Sequence, residues 1–163
     1  MSLRNAVVLI ALIFIAATLG AETVMIAARE TIDGAQSPPP LATVEGVSGG
    51  LFEAGHVVFD AGAIRPDART ADLEAVAREG QAGWLLQITV AYTQTKIADD
   101  TVRVACSAAF SLVNTSTGET SLSDKVSGTN AGKEKVLSRA GLGVELGKLI
   151  SQRVVKALPT PAL

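Results

Sequence analysis

Apolar residues along this chain recur either at every second position or at helical spacing, and the two periods follow one another in a readable order. From Glu22 to Asp33, Val24, Ile26 and Ala28 share one face of a predicted first strand. Gly34 to Pro40 ends in three consecutive prolines and reads as a loop, because proline lacks the backbone donor that helices and sheets need. Leu41 to Ala54 carries Val44, Val47, Leu51 and Ala54 on one helical stripe, with Gly55 as its terminator. Gly46, Gly49 and Gly50 each weaken this helix by about 1 kcal/mol relative to alanine, which implies close packing against it. His56 to Asp60 is a short buried strand. A second helix is predicted from Asp67 to Gly80, with Leu73, Val76 and Ala77 inward and Asp67 or Thr70 as cap.

Two long strands follow. Trp84, Leu86, Ile88, Val90 and Tyr92 alternate with polar residues up to Ile97, and Val102, Val104, Cys106, Ala108, Phe110 and Leu112 do so between Thr101 and Val113. Asp99-Asp100 marks the turn between them, and Asn114 to Gly118 a hairpin loop in which Gly118 supplies a positive φ. A third strand, Glu119 to Gly128, completes an antiparallel meander, and a last helix runs from Gly132 to Leu158 and stops at Pro159. The order β-α-β-α-β-β-β-α predicts an α+β domain of two layers, a mainly antiparallel sheet covered by helices. The opposite sheet face, with Gln87, Thr89, Thr93, Ser107 and Ser111, is polar but uncharged, and is either wet or covered by a partner or further helix.

The last helix has more apolar surface than one sheet requires. Val136, Ala140, Val144, Gly147, Ile150, Val154 and Leu158 make the stripe expected to face the sheet. Leu142, Leu146 and Leu149 make a second stripe, flanked by Lys135, Arg139 and Arg153. Either the first helix or the proline loop covers these leucines, or they form a partner-binding ridge with a basic rim.

The chain's 163 residues have room for one domain, and the first 21 are expected to leave it. Met1 to Asn5 carries one basic side chain, Ala6 to Ala21 is apolar or small, and Glu22 interrupts: the pattern of a secretory signal peptide cut near Ala21. Residues 22–163 are then a single periplasmic domain. Cys106 is the one cysteine and lies far from the start, so neither a lipid-anchoring cysteine nor an internal disulfide is expected, and its place in an alternating strand reads as a buried small hydrophobe. Glu22 to Asp124 holds 6 basic and 14 acidic residues, Lys125 to Leu163 7 basic and 2 acidic. That asymmetry reads either as a basic helix lying over an acidic body or as peripheral contact with membrane headgroups or an acidic partner. Net acidity and few aromatics argue against nucleic acid.

Enzyme chemistry is not signalled. His56 is the lone histidine, and Asp60 would lie about 13 Å from it along an extended strand, so a structural histidine is the expectation and a metal ligand is not. The Gly141 to Gly147 run lacks the spacing, the preceding strand and the Gly-Lys-Ser/Thr of a phosphate loop; its glycines are expected to let the last helix approach the sheet. No cofactor is implied.

Gly83-Trp84-Leu85-Leu86, then Ser111-Leu112-Val113-Asn114-Thr115-Ser116-Thr117-Gly118-Glu119, then a long helix of small and apolar residues resemble a group of bacterial envelope proteins. It comprises the curli-secretion channel protein, the flagellar outer-membrane assembly proteins and the amino-terminal domain of the Tol propeller. Phe52 to Val58 resembles the group's helix-to-strand step, and the resemblance spans about Thr43 to Leu158. It implies a non-enzymatic structural or assembly subunit of the cell envelope, flagellar or outer-membrane associated, acting by self-association or docking. Unlike many relatives the chain has no lipoprotein cysteine, and no insertion long enough for membrane-crossing hairpins. The alternative is a small module that binds an apolar or lipid-like ligand between sheet and helices.

Overall fold

The computed structural model describes residues 21–36, 41–61, 68–97, 102–130 and 138–159. Six strands form one sheet: β1 (Thr23–Ile32), the two-residue β2 (Ala35–Gln36), β3 (Val57–Asp60), β4 (Trp84–Lys96), β5 (Val102–Asn114) and β6 (Thr120–Thr129). Three helices accompany it: α1 (Leu41–Glu53), α2 (Thr70–Glu79) and α3 (Arg139–Ala157). The domain is α+β in the expected order. β4, β5 and β6 are an antiparallel meander, β1 runs parallel to β4, and β1's outer edge is shared by β3, parallel, and β2, antiparallel.

Strand order explains where the helices lie. The chain crosses from β1 outward to β3 through α1, then back over β1 to β4 through α2. Two crossovers of the same hand in opposite directions must lie on opposite sheet faces. Accordingly α1 and α3 share one face, over Val24, Ile26, Leu86, Ile88, Val90, Phe110 and Leu112, and build the main core. On the other face α2 sets Leu73 and Ala77 on Met25, Ala27, Leu85 and Val113. The expected two layers therefore gain partial cover on the second face. Val76, expected inward, is exposed, because α2 touches only one end of the sheet.

β3, expected to be buried, is exposed at its ends and half-buried between, because it pairs only with β1 at the sheet's edge. Other local signals mostly hold. Gly55 adopts φ +87 and closes α1: its N–H donates to the Phe52 carbonyl, and the His56 N–H reaches back to Leu51. Gly118 takes φ +73 in a turn that Asn114 organises by accepting from the Ser116 and Thr117 backbones. One helix start differs. Arg69, not Thr70, precedes α2, where the Asp72 carboxylate accepts its backbone N–H and grips its guanidinium; Asp67 lies outside the described residues. α3 begins at Arg139, where the Ser138 hydroxyl caps it by accepting from the Gly141 N–H; the start expected at Gly132 lies outside the described residues. Asp99-Asp100 and the prolines at 38–40 also lie outside the described residues.

Candidate interaction surface

His56, the one histidine, follows the α1 terminator and is 2% exposed. Its Nδ1 accepts the Glu22 backbone N–H at 3.3 Å, so the neutral ring carries its proton on Nε2, which is buried without a partner among the described residues. The Glu22 carboxylate in turn accepts from the Trp84 indole at 2.9 Å, and its carbonyl from the Val57 N–H. This is a structural clasp for the start of β1. Burial pulls the imidazole below its ordinary pKa, with Glu22 opposing. The sign follows: below about pH 6.5 the unfolded chain takes up a proton that the folded one resists, so stability falls with pH. We expect the urea midpoint to drop between pH 7 and 5, and His56→Gln to flatten that drop; an equal slope in both proteins would refute it.

Among the described residues no three of His, Cys, Asp and Glu stand together as metal ligands. Cys106 is buried, as expected of a small hydrophobe. The space between sheet and helices is filled by Ile26, Leu86, Ile88, Leu146 and Ile150, all fully buried.

α3 is where the ridge residues fall. Leu142 (2% exposed) and Leu146 (1%) lie in the main core, packed with Val44, Val47 and Leu51, while Leu149 is 43% exposed. The three leucines are therefore not one surface. The arc α3 buries is Leu142, Gly143, Leu146, Gly147, Ile150, Ser151 and Val154, intermediate between the two stripes, because the helix packs on α1 as well as on the sheet. Ala140 and Val144, assigned to the sheet stripe, are exposed and half-buried. Of the basic rim, Arg139 is exposed, Lys135 lies outside the described residues, and Arg153 is tied to Asp124 of β6. The Lys125 backbone N–H, then Arg153, hold the Asp124 carboxyl below its ordinary range. At this one point a basic residue of the helix meets an acidic residue of the sheet.

α1 and α3 approach unusually closely. A Cβ at Gly46 would strike the Val144 carbonyl, and one at Gly147 the Thr43 carbonyl. Gly147 thus serves contact with α1, where contact with the sheet was expected, and Gly143 lies against both α1 and the Tyr92 hydroxyl of the sheet. Above the contact runs an open groove of about 830 Å³, lined by Glu45, Gly49 and Glu53 of α1 and by Lys148, Gln152 and Lys156 of α3. Nothing in the sequence reading singled these charges out, although their helical spacing was there to be read.

The second sheet face is the other open surface. Beyond α2 it exposes Thr89, Ala91, Thr93, Ser107 and Ala109, around a depression of about 470 Å³ bounded by Arg29 and Lys125. Gln87 sits at its floor, accepting from the Thr70 hydroxyl, its amide nitrogen buried without a partner among the described residues. Among the described residues no helix is long and apolar enough to cross a membrane.

No protein-family profile and no curated protein sequence matches the chain. Solved structures do share the fold. The PelC dodecamer from Paraburkholderia phytofirmans is 19% identical, with 86% of this chain and 89% of that one covered and a TM-score of 0.55. Lipoprotein GNA1162 from Neisseria meningitidis is 18% identical over 83% and 99%, at 0.53. Protein CT253 from Chlamydia trachomatis is 9% identical over 84% and 97%, at 0.56. At such identities the likeness is one of fold.

Proposed function

We propose that this protein is an exported, non-enzymatic structural or assembly subunit of the bacterial cell envelope, working by self-association or docking as a flagellar or outer-membrane accessory. Residues 1–21 are its signal peptide and residues 22–163 its single periplasmic domain. The observation that carries this reading is a fold shared over more than four-fifths of the chain with PelC, which forms a dodecamer, and with a lipoprotein. The amino-terminal export pattern points the same way. A core filled by apolar side chains and two open faces suit a domain that works by contact.

The test is to express the full chain with export, read the mature amino terminus by mass spectrometry, and measure the mass by light scattering on a sizing column. The expected result is a chain beginning at Glu22 that runs as a multimer. A chain that keeps residues 1–21 would overturn the export reading, and a monomer at every concentration up to about 100 μM would overturn self-association.

A further inference from the structure

We infer that the groove between α1 and α3 is a self-complementary docking surface whose occupant is the same groove of a second copy of this chain. The inference rests on the self-association reading and names where that association occurs.

The two walls of the groove are charged oppositely. The α1 wall presents Glu45 and Glu53, the α3 wall Lys148 and Lys156, and all four side chains are exposed. No ion pair among the described residues joins them across the groove. Within each wall the two charges are eight residues apart, about 12 Å along a helix. The helices run side by side in the same direction, since Gly46 lies against Val144 and Gly50 against Ser151. At these levels Lys148 sits about 5 Å further along than Glu45, and Lys156 is offset from Glu53 by about the same amount.

Such a surface has two ways to meet its own copy about a two-fold axis. An axis across the helices sets α1 on α1 and α3 on α3, facing carboxylate with carboxylate and ammonium with ammonium. An axis along the helices sets α1 of each copy on α3 of the other. Both acidic residues then meet both lysines at one common offset, and symmetry repeats the contact. The charge pattern therefore selects the parallel pair.

Apolar side chains select the same pair. Phe52 is 76% exposed on the flank of α1 turned away from α3, and Leu149 is 43% exposed on the flank of α3 turned away from α1. Only when α1 lies over the partner's α3 do these flanks coincide, and Phe52 then lies about 4 Å further along than the partner's Leu149, close enough for the two side chains to touch. A large exposed aromatic on an otherwise charged helix face is the kind of anchor that carries interface energy.

Two double variants test this, Glu45→Lys with Glu53→Lys and Lys148→Glu with Lys156→Glu, each first shown to keep the wild-type circular dichroism spectrum. Reversing one wall sets like charges together twice in each dimer, so each variant alone should raise the dimer Kd at least about tenfold. Mixed in equal amounts, they should form a heterodimer of near wild-type affinity by native mass spectrometry, because each variant's reversed wall meets a wall of opposite sign. If the wild type is a monomer, the self-association reading fails as well. If both variants assemble as tightly as the wild type, assembly stands and this groove is not its site. If both are weakened and mixing does not restore them, the pairing of α1 with the partner's α3 is wrong.

Discussion

Leu146→Glu unfolds the domain. Leu146 is 1% exposed at the centre of the core that α1, α3 and the sheet share. Removing a buried leucine side chain costs about 2–5 kcal/mol. A carboxylate in its place adds a desolvation penalty of several kcal/mol, or is kept neutral at a comparable cost. Domains of this size hold only about 5–15 kcal/mol in all. The variant should lose near-ultraviolet dichroism and the buried-indole fluorescence of Trp84 at 20 °C, with no cooperative urea transition left. Leu149→Glu, one turn on, replaces an exposed side chain and should move stability by no more than about 0.5 kcal/mol. The pair makes the test sharp: a folded Leu146→Glu protein would mean that α3 turns another face to the sheet.

That face is what periodicity alone did not fix. The order of elements was legible because strands and helices differ in period, and because Gly55, Gly118 and the prolines at 38–40 punctuate the chain. The seating of α3 was not, because it carries apolar residues around most of its circumference. Val144, Ile150 and Val154 suggested one inner stripe, Leu142, Leu146 and Leu149 another. A helix resting on a sheet alone buries one stripe. α3 rests on the sheet and on α1 together, and the arc it buries takes part of each. Where the second neighbour stands depends on strand order, and strand order was not in the pattern. The same ignorance hid the placement of α2, since its side of the sheet follows from β3 lying outside β1.

The glycine cost in α1 was the most useful local hint, because it pointed to a close contact before any partner was known. It also separates glycines that look alike. Gly46 and Gly50 have α3 against them, whereas nothing lies within 4 Å of a Cβ built on Gly49. The site residues that matter for the groove, Glu45, Glu53, Lys148 and Lys156, stayed unread for a different reason. A charge on a helix surface is ordinarily solvated, and these acquire meaning only when two helices are known to run parallel with their charged rows on one side.

Gly147→Ala should destabilise the domain by about 1–3 kcal/mol, although alanine in a helix interior is favoured over glycine by about 1 kcal/mol. The added methyl would meet the Thr43 carbonyl, with the Val47 nitrogen at 2.8 Å and the Gly46 Cα at 2.9 Å. All three are α1 backbone, so no rotamer change relieves the overlap and the two helices must separate. Gly49→Ala has the propensity gain and no such contact, and should stabilise by up to about 1 kcal/mol. Urea midpoints at equal slope give the two signs directly. A Gly147→Ala protein as stable as the wild type would show that α1 and α3 have room between them. Because the same approach sets the spacing of the two charged walls, Gly147→Ala should also weaken self-association at urea concentrations where it remains folded.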